Sequence, residues 1–163
     1  PPANPPKNKH DRRQYERSTI AHNTVTVGGR DSSRVWGGFR VASRAHVRII
    51  RDQAGLIEAS HDGFGRKHLH TRSFKADTAS LTVTDHCKTD LETISMIHFA
   101  PEVRIISVGG NRIETDKAII TLDGASHVEV TDVETSVEYN RLRPCKAVAI
   151  RFSERLMTVI TPL

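Results

Sequence analysis

Phe39-Arg40-Val41-Ala42-Ser43-Arg44-Ala45-His46-Val47-Arg48-Ile49 is the stretch that decides the fold. Phe39, Val41, Ser43, Ala45, Val47 and Ile49 hold alternate positions, with Arg40, Arg44 and Arg48 among the residues between them. Successive side chains of a strand point to opposite faces, so this period of two predicts one long strand with a packed face and a basic outer face. Just upstream, Thr24-Val25-Thr26-Val27 is β-branched throughout and stops at Gly28-Gly29, a strand followed by a turn.

Outward from there the same pattern repeats. Further short strand-like runs fall at 56–60, 68–74, 80–84, 93–99, 103–108, 117–122, 127–130, 147–152 and 156–160. Asp62-Gly63, Gly109-Gly110-Asn111 and Asp123-Gly124 punctuate them. Residues 85–91 offer the one candidate for a helical turn, no amphipathic helix is evident, and no internal repeat points to a propeller. Many short strands at this spacing predict an all-β fold, an antiparallel β-sandwich over residues 15–163. Residues 1–14, with four prolines in the first six positions and then polar and basic residues, read as a flexible linker.

The length of 163 residues suits a single domain with its own core, and 37% hydrophobic with 26% charged residues excludes a wholly disordered chain. No apolar run approaches the roughly 18 residues of a membrane helix, and residues 1–10 contain no signal-peptide core, so a soluble chain is expected. Its opening without Met is what a fragment would show. Cys87 and Cys145 lack the spacing of a metal site or a disulfide scaffold, and two buried free thiols are expected rather than one bridge.

Charge is unevenly distributed along the net +5. Residues 1–75 carry 15 Lys/Arg against 6 Asp/Glu, a balance of +9, and six of the nine histidines; residues 76–163 carry 9 against 13, a balance of −4. A cationic, His-rich first half attracts a polyanion, and charge alone does not choose between nucleic acid and an acidic polysaccharide. Aromatic residues are only 5%, with one Trp, which argues for recognition by charge over stacking on aromatic platforms. Trp36 beside Gly37-Gly38 could be one platform, with packing on the next strand as the simpler use.

The densest polar constellation lies between Arg17 and Arg72. His22 precedes a strand beside Asn23. An imidazole exchanges a proton near neutrality, and Asn or Arg can hold a carboxylate, so the combination suits proton abstraction beside a carboxylate. An ordinary strand-end histidine is the alternative. His68 and His70 at i, i+2 would share a strand face, with His61 across a hairpin as a third metal ligand, or all three are solvated surface residues. Arg40, Arg44 and Arg48 form either a polyanion track or a solvated sheet face. Cys87 lacks a base, since adjacent His86 would point to the opposite face. Neither a phosphate-binding glycine loop nor a nucleophile elbow is present.

Arg17-Ser18-Thr19-Ile20-Ala21-His22-Asn23-Thr24-Val25, then Gly29-Arg30-Asp31-Ser32-Ser33-Arg34-Val35-Trp36-Gly37-Gly38-Phe39-Arg40-Val41 and Arg44-Ala45, resemble the C-terminal sandwich domain of the heparinase II/III-like family. His61-Asp62-Gly63-Phe64 and His70-Thr71-Arg72 follow in the expected order. The resemblance implies a polysaccharide lyase in which an N-terminal α-helical toroid and this sandwich enclose an acidic sugar chain. Such enzymes act by β-elimination: the uronate carboxylate is neutralised, a base removes the C5 proton, and an acid protonates the leaving oxygen.

On that resemblance His22 matches the active-site histidine of the sandwich. Arg17, Asn23 and Arg72 would orient it or contact substrate, and His61 and Arg40 are further substrate-binding candidates. The toroid carries the catalytic Tyr and its Asn or Arg partners and lies outside these residues, and Tyr15 does not match it. Partners that act as a unit forfeit most of the rate when separated, so the chain alone is expected to be inactive. Some relatives hold a metal in the sandwich; here Thr24 stands at the first ligand position, no Asp lies at 40–48, and only His70 fits, so a divalent ion near His70 would lack its usual ligands. The implied partner is an acidic polysaccharide, with nucleic acid ranked below it and no membrane, and the implied location is the periplasm or cell envelope. A non-catalytic module for acidic glycans is the second reading.

Overall fold

The computed structural model describes residues 9–139 and 141–163. One helix, α1 (Lys9–Glu16), and a 3-10 turn (Thr19–Ala21) precede twelve strands. These are β1 (Val25–Val27), β2 (Arg34–Trp36), β3 (Arg40–Ala42), β4 (Val47–Gln53), β5 (Leu56–His61), β6 (His70–Ala76) and β7 (Leu81–Cys87). They continue as β8 (Thr93–His98), β9 (Ile105–Gly109), β10 (Arg112–Thr115), β11 (Ala118–Glu138) and β12 (Arg141–Pro162). Every pairing is antiparallel.

The long β11–β12 hairpin builds both layers of the sandwich. Its register shifts between Asp123 and Ala125, where Gly124 has φ +91° and Glu154 on the facing strand φ +58°. A side chain at Gly124 would overlap the carbonyl oxygen of Arg155, so only glycine lets the strands bend there. Beyond the bend, residues 154–160 of β12 pair with β7, whereas residues 147–152 pair with β8. One layer therefore runs β4-β5-β6-β7-β12-β11-β10-β9, and the other holds β1, β8 and the remaining halves of β12 and β11.

Val25, Val27, Val148, Ile150 and Phe152 of the smaller layer meet Cys87, Ile113, Ile120, Leu122 and Leu156 of the larger one in a single buried cluster. These are alternate positions of their strands, as two packed inner faces require. Cys87 and Cys145 are both buried and unpaired. No helix among the described residues is long and apolar enough to cross a membrane.

Four expectations change. The stretch 39–49 is not one strand: Ser43, at φ +48°, breaks it into β3 and β4, so its arginines form no continuous track. The alternation in β4 is real, yet every residue of β4 is exposed because β4 is a sheet edge that extends past the smaller layer. Residues 85–91 form no helical turn, since β7 runs on through Asp85 to Cys87. Finally, residues 9–14 of the expected linker belong to α1, which has no apolar face to announce it. Polar contacts hold it: Arg12 pairs with Glu16 one turn on and with Glu134, and Gln14 donates to the Val35 carbonyl. Residues 1–8 of that linker lie outside the described residues.

Candidate active site at the sandwich edge

Strand register places the site. His61 pairs with His70 and His70 with Cys87, while Ala59 pairs with Arg72 and Arg72 with Asp85. Val47 and Ile49 of β4 sit opposite His61 and Ala59 on that same face. The inner face of the larger sheet thus changes character: buried and apolar beneath the smaller layer, polar at His61, His70, Arg72 and Asp85, then apolar and open to solvent at Val47, Ile49, Ile57 and Phe74. A cleft of about 150 Å³ lies on this overhang, lined by Thr24, Val47, Ile57, His61, Arg72 and Phe74 among others.

Asp85 anchors the polar row, only 1% exposed. Arg72 grips it with a fork, Nε to Oδ1 at 2.7 Å and Nη2 to Oδ2 at 2.9 Å, and His70 Nε2 lies 2.7 Å from Oδ1. Burial alone would push this carboxyl up, but the bonds from His70 and Arg72 outweigh it and hold Asp85 below the usual carboxylate range. Ser95 of β8 adds a longer bond at 3.4 Å, tying the two layers together.

The protons in this row have one consistent placement. The Gly63 N–H donates to His61 Nδ1 at 3.2 Å, so a neutral His61 carries its hydrogen on Nε2. That hydrogen points to His70 Nδ1 at 3.1 Å, which leaves His70 Nε2–H to donate to Asp85. Burial first, and then neighbouring His70, holds the His61 imidazole below its ordinary value, in keeping with the neutral form.

Arg72 also reaches the backbone carbonyl of Asn23 through Nη1, at 2.5 Å. It thereby positions the segment that carries His22. His22 closes the 3-10 turn by a backbone bond to Thr19, is extended at φ −124°, and is exposed. Its ring makes no hydrogen bond among the described residues. Asn23 Oδ1 accepts from the backbone N–H of His98 at 2.7 Å and from His98 Nδ1 at 3.1 Å. His98 therefore keeps a bare lone pair on Nε2, which is buried with no partner among the described residues. Burial, and then the nearby His22, keeps His98 below the ordinary imidazole value.

The structure thus gathers His22, Asn23, His61 and Arg72, and adds Asp85, His70 and His98. Arg17 and Arg40 share no contact with that group among the described residues. Arg17 donates to the Gly38 carbonyl at 2.7 Å, at the tip of the β2–β3 hairpin, and Arg40 lies exposed on that hairpin. Arg48 sits opposite Ser60, on the sheet face away from His61. His68 lies outside β6, so it does not share a strand face with His70. His61 does reach His70 across the β5–β6 hairpin, but as a hydrogen-bond partner.

A metal does not fit this donor set. Both ring nitrogens of His70 are engaged, Asp85 is committed to Arg72 and His70, and Thr24 offers no imidazole. Among the described residues no three His, Cys, Asp or Glu side chains are grouped to hold an ion.

Two members of the cluster escape sequence reasoning. Asp85 had a usable signal: continuing the alternation from Val83 through Asp85 to Cys87 puts a carboxylate on the core face, where it needs cationic partners. His98 had none, since a histidine at a strand end is unremarkable until Asn23 is seen to meet it.

The sequence profile described as Heparinase II/III-like, C-terminal matches residues 4–161. Among solved structures, heparan sulfate lyase HepC from Pedobacter heparinus superposes with a TM-score of 0.68 at 13% identity, over 95% of this chain and 26% of that one. A heparinase III structure gives 0.66 at 13% identity, over 96% and 26%. A mutant of the Pedobacter heparinus HepC gives 0.67 at 15% identity, over 99% and 28%. Identities this low carry the fold alone. The chain spans about a quarter of the length of the structures it matches. No curated protein matches it in sequence.

Proposed function

Because this chain belongs to the heparinase II/III-like C-terminal family, we propose that it forms one wall of the active-site cleft of a polysaccharide lyase, with His22 as its contribution to β-elimination of a uronic-acid-containing polysaccharide. The observation that carries this reading is the open overhang that Arg72 ties to the His22–Asn23 segment: a sheet face that is apolar at its rim, polar at its centre and left open by the other described residues. Its exposed Val47, Ile49, Ile57 and Phe74 suit burial against a second domain, and an N-terminal helical toroid is the proposed partner. The residues 1–75 balance of +9 favours an acidic substrate, and that substrate class carries with it a periplasmic or envelope location.

In this mechanism the exposed His22 ring, which makes no hydrogen bond among the described residues, faces the sugar and takes or returns a proton, or pairs with the uronate carboxylate. The Asn23 amide N–H₂ is left to donate, since its oxygen is held by His98. Arg72 and Asp85 act as positioning residues, fixing Asn23 and so the entry of β1. The remaining acid–base partner comes from the toroid, which leaves this chain inactive by itself.

One observation favours a second reading. The His61–His70–Asp85–Arg72 row is internally satisfied, as a purely structural tie would be, and this suits a non-catalytic module that binds acidic glycans. The ultraviolet absorbance of the unsaturated product separates the two. The toroid-containing parent is expected to release it from a uronate polysaccharide, and His22→Ala is expected to slow that release by about 10²–10⁴ without unfolding the protein. Unchanged turnover in the variant removes His22 from the mechanism.

A further inference from the structure

A second cleft, of about 540 Å³, opens between the β2–β3 hairpin and the turn that follows β5. Its walls include Arg30, Asp31, Arg34 and Trp36 on one side and Gly63 and Phe64 on the other. The volume falls within the range of small-ligand sites. Three features distinguish it from a fold in the surface.

Its charge is unspent. Arg34 is exposed and has no side-chain hydrogen bond or ion pair among the described residues, and Arg30 has only a 3.5 Å bond from Nε to the Val27 carbonyl. The one carboxylate in the wall, Asp31, has Oδ1 occupied by the Thr19 N–H at 2.6 Å. Two arginines therefore line the cleft against one partly committed carboxylate, and guanidinium forks match carboxylate and sulfate oxygens.

Its aromatic wall is held open. A short two-stranded hairpin is marginal alone, yet this one is fastened at three points by α1 and the residue after it. Gln14 donates to the Val35 carbonyl at 2.8 Å, and Arg13 and Arg17 donate to the Gly38 carbonyl at 3.2 and 2.7 Å. The fastened hairpin leaves Trp36 46% exposed. Packing on the next strand, the simpler use for this residue, does not account for an indole half in solvent.

Its far wall is the back of the candidate active site. Phe64 packs on the His61 ring with centroids 5.4 Å apart, and the same turn supplies the Gly63 N–H to His61. A side chain at Gly63 would overlap the Ser32 carbonyl oxygen, so glycine alone lets this turn close against the hairpin's base. The cleft is thus one side chain away from His61.

We propose that this cleft is a sugar subsite next to the reaction centre, taking one acidic pyranose. The apolar C–H face of the ring lies on Trp36, and its carboxylate or sulfate meets Arg34 and Arg30. A ring with one apolar face and a charged edge uses both kinds of wall at once. This assignment rests on the proposed lyase reading and adds to it the residues that read the neighbouring sugar.

Trp36 is the only tryptophan of the chain, so its fluorescence reports this cleft alone. The chain is titrated with a sulfated glycosaminoglycan tetrasaccharide, an unsulfated uronate tetramer, neutral cellotetraose and a short oligo(dT), with calorimetry run in parallel. At least one acidic tetrasaccharide is expected to change Trp36 emission saturably, with salt-sensitive affinity, and cellotetraose to leave it unchanged. Arg34→Ala, at an exposed position that the fold does not need, is expected to weaken that binding about 10-fold or more. Calorimetric binding of an acidic tetrasaccharide with silent Trp36 emission and undiminished affinity in Arg34→Ala overturns the subsite and leaves the lyase reading standing. Absence of calorimetric binding by either acidic tetrasaccharide removes the acidic-glycan reading and the subsite with it. Equal emission changes with oligo(dT) overturn the assignment to a sugar.

Discussion

Asp85→Asn changes two atoms' chemistry and no shape, and its cost follows from what surrounds the carboxylate. Asp85 is 1% exposed and receives both forks of Arg72 and one N–H of His70. The amide can still accept from one partner, but its N–H₂ then opposes a guanidinium that has lost its counter-ion, at a side chain only 16% exposed. Breaking a buried pair by removing one partner costs about 3–5 kcal/mol. At roughly 2–4 °C per kcal/mol for a domain of this size, the melting temperature should fall by about 6–20 °C. Thermal unfolding at pH 7 followed by circular dichroism measures it. Asp123→Asn serves as the control, since its bond to Arg155 is on the surface, where ion pairs contribute little. An Asp85→Asn protein that melts with wild type or with the control refutes the view that this carboxylate ties the layers together.

Acid should weaken the fold in two stages. His61 and His98 hold below the imidazole value of 6.5, so the unfolded chain binds more protons in the window between their folded values and 6.5, and stability rises with pH across it. Asp85 lies below 3.8, and its contribution, present above that value, is lost as pH falls through its folded value. Urea midpoints should therefore drop from pH 7.5 to pH 5 and again below pH 4; a flat profile contradicts both assignments. Gly63→Ala and Gly124→Ala should each destabilise by about 1–3 kcal/mol, because each new methyl overlaps a backbone carbonyl. Equilibrium denaturation checks this, and wild-type midpoints would show that these turns have slack. His98→Gln should displace Asn23 and lower parent turnover while leaving far-ultraviolet circular dichroism unchanged; full activity would limit His98 to packing.

The sandwich was legible because β-branched alternation is a local signal, and β1, β5 and β8 begin at or within a residue of where their runs begin. What failed was non-local. The alternation of 39–49 announces a buried face, but burial depends on the smaller layer reaching that far, and it stops short of β4. The runs at 117–122 and 127–130 are one strand because a bend at Gly124 continues the pairing that a glycine ordinarily ends. Helix α1 was hidden because its anchors, Glu134 and Val35, lie far along the chain. His22, Asn23 and Arg72 were legible as a polar cluster and by resemblance; Asp85 needed the alternation of β7 to be carried past Val83, and His98 emerges only from its meeting with Asn23.

Chemical rescue addresses position 22 most directly. His22→Ala in the toroid-containing parent removes an exposed ring without disturbing a hydrogen bond among the described residues, and leaves a gap open to solvent. Turnover of a uronate polysaccharide should fall by about 10²–10⁴, the usual worth of a general acid or base, and added imidazole should restore part of it in proportion to its concentration. A variant that turns over at the wild-type rate without imidazole would contradict the account.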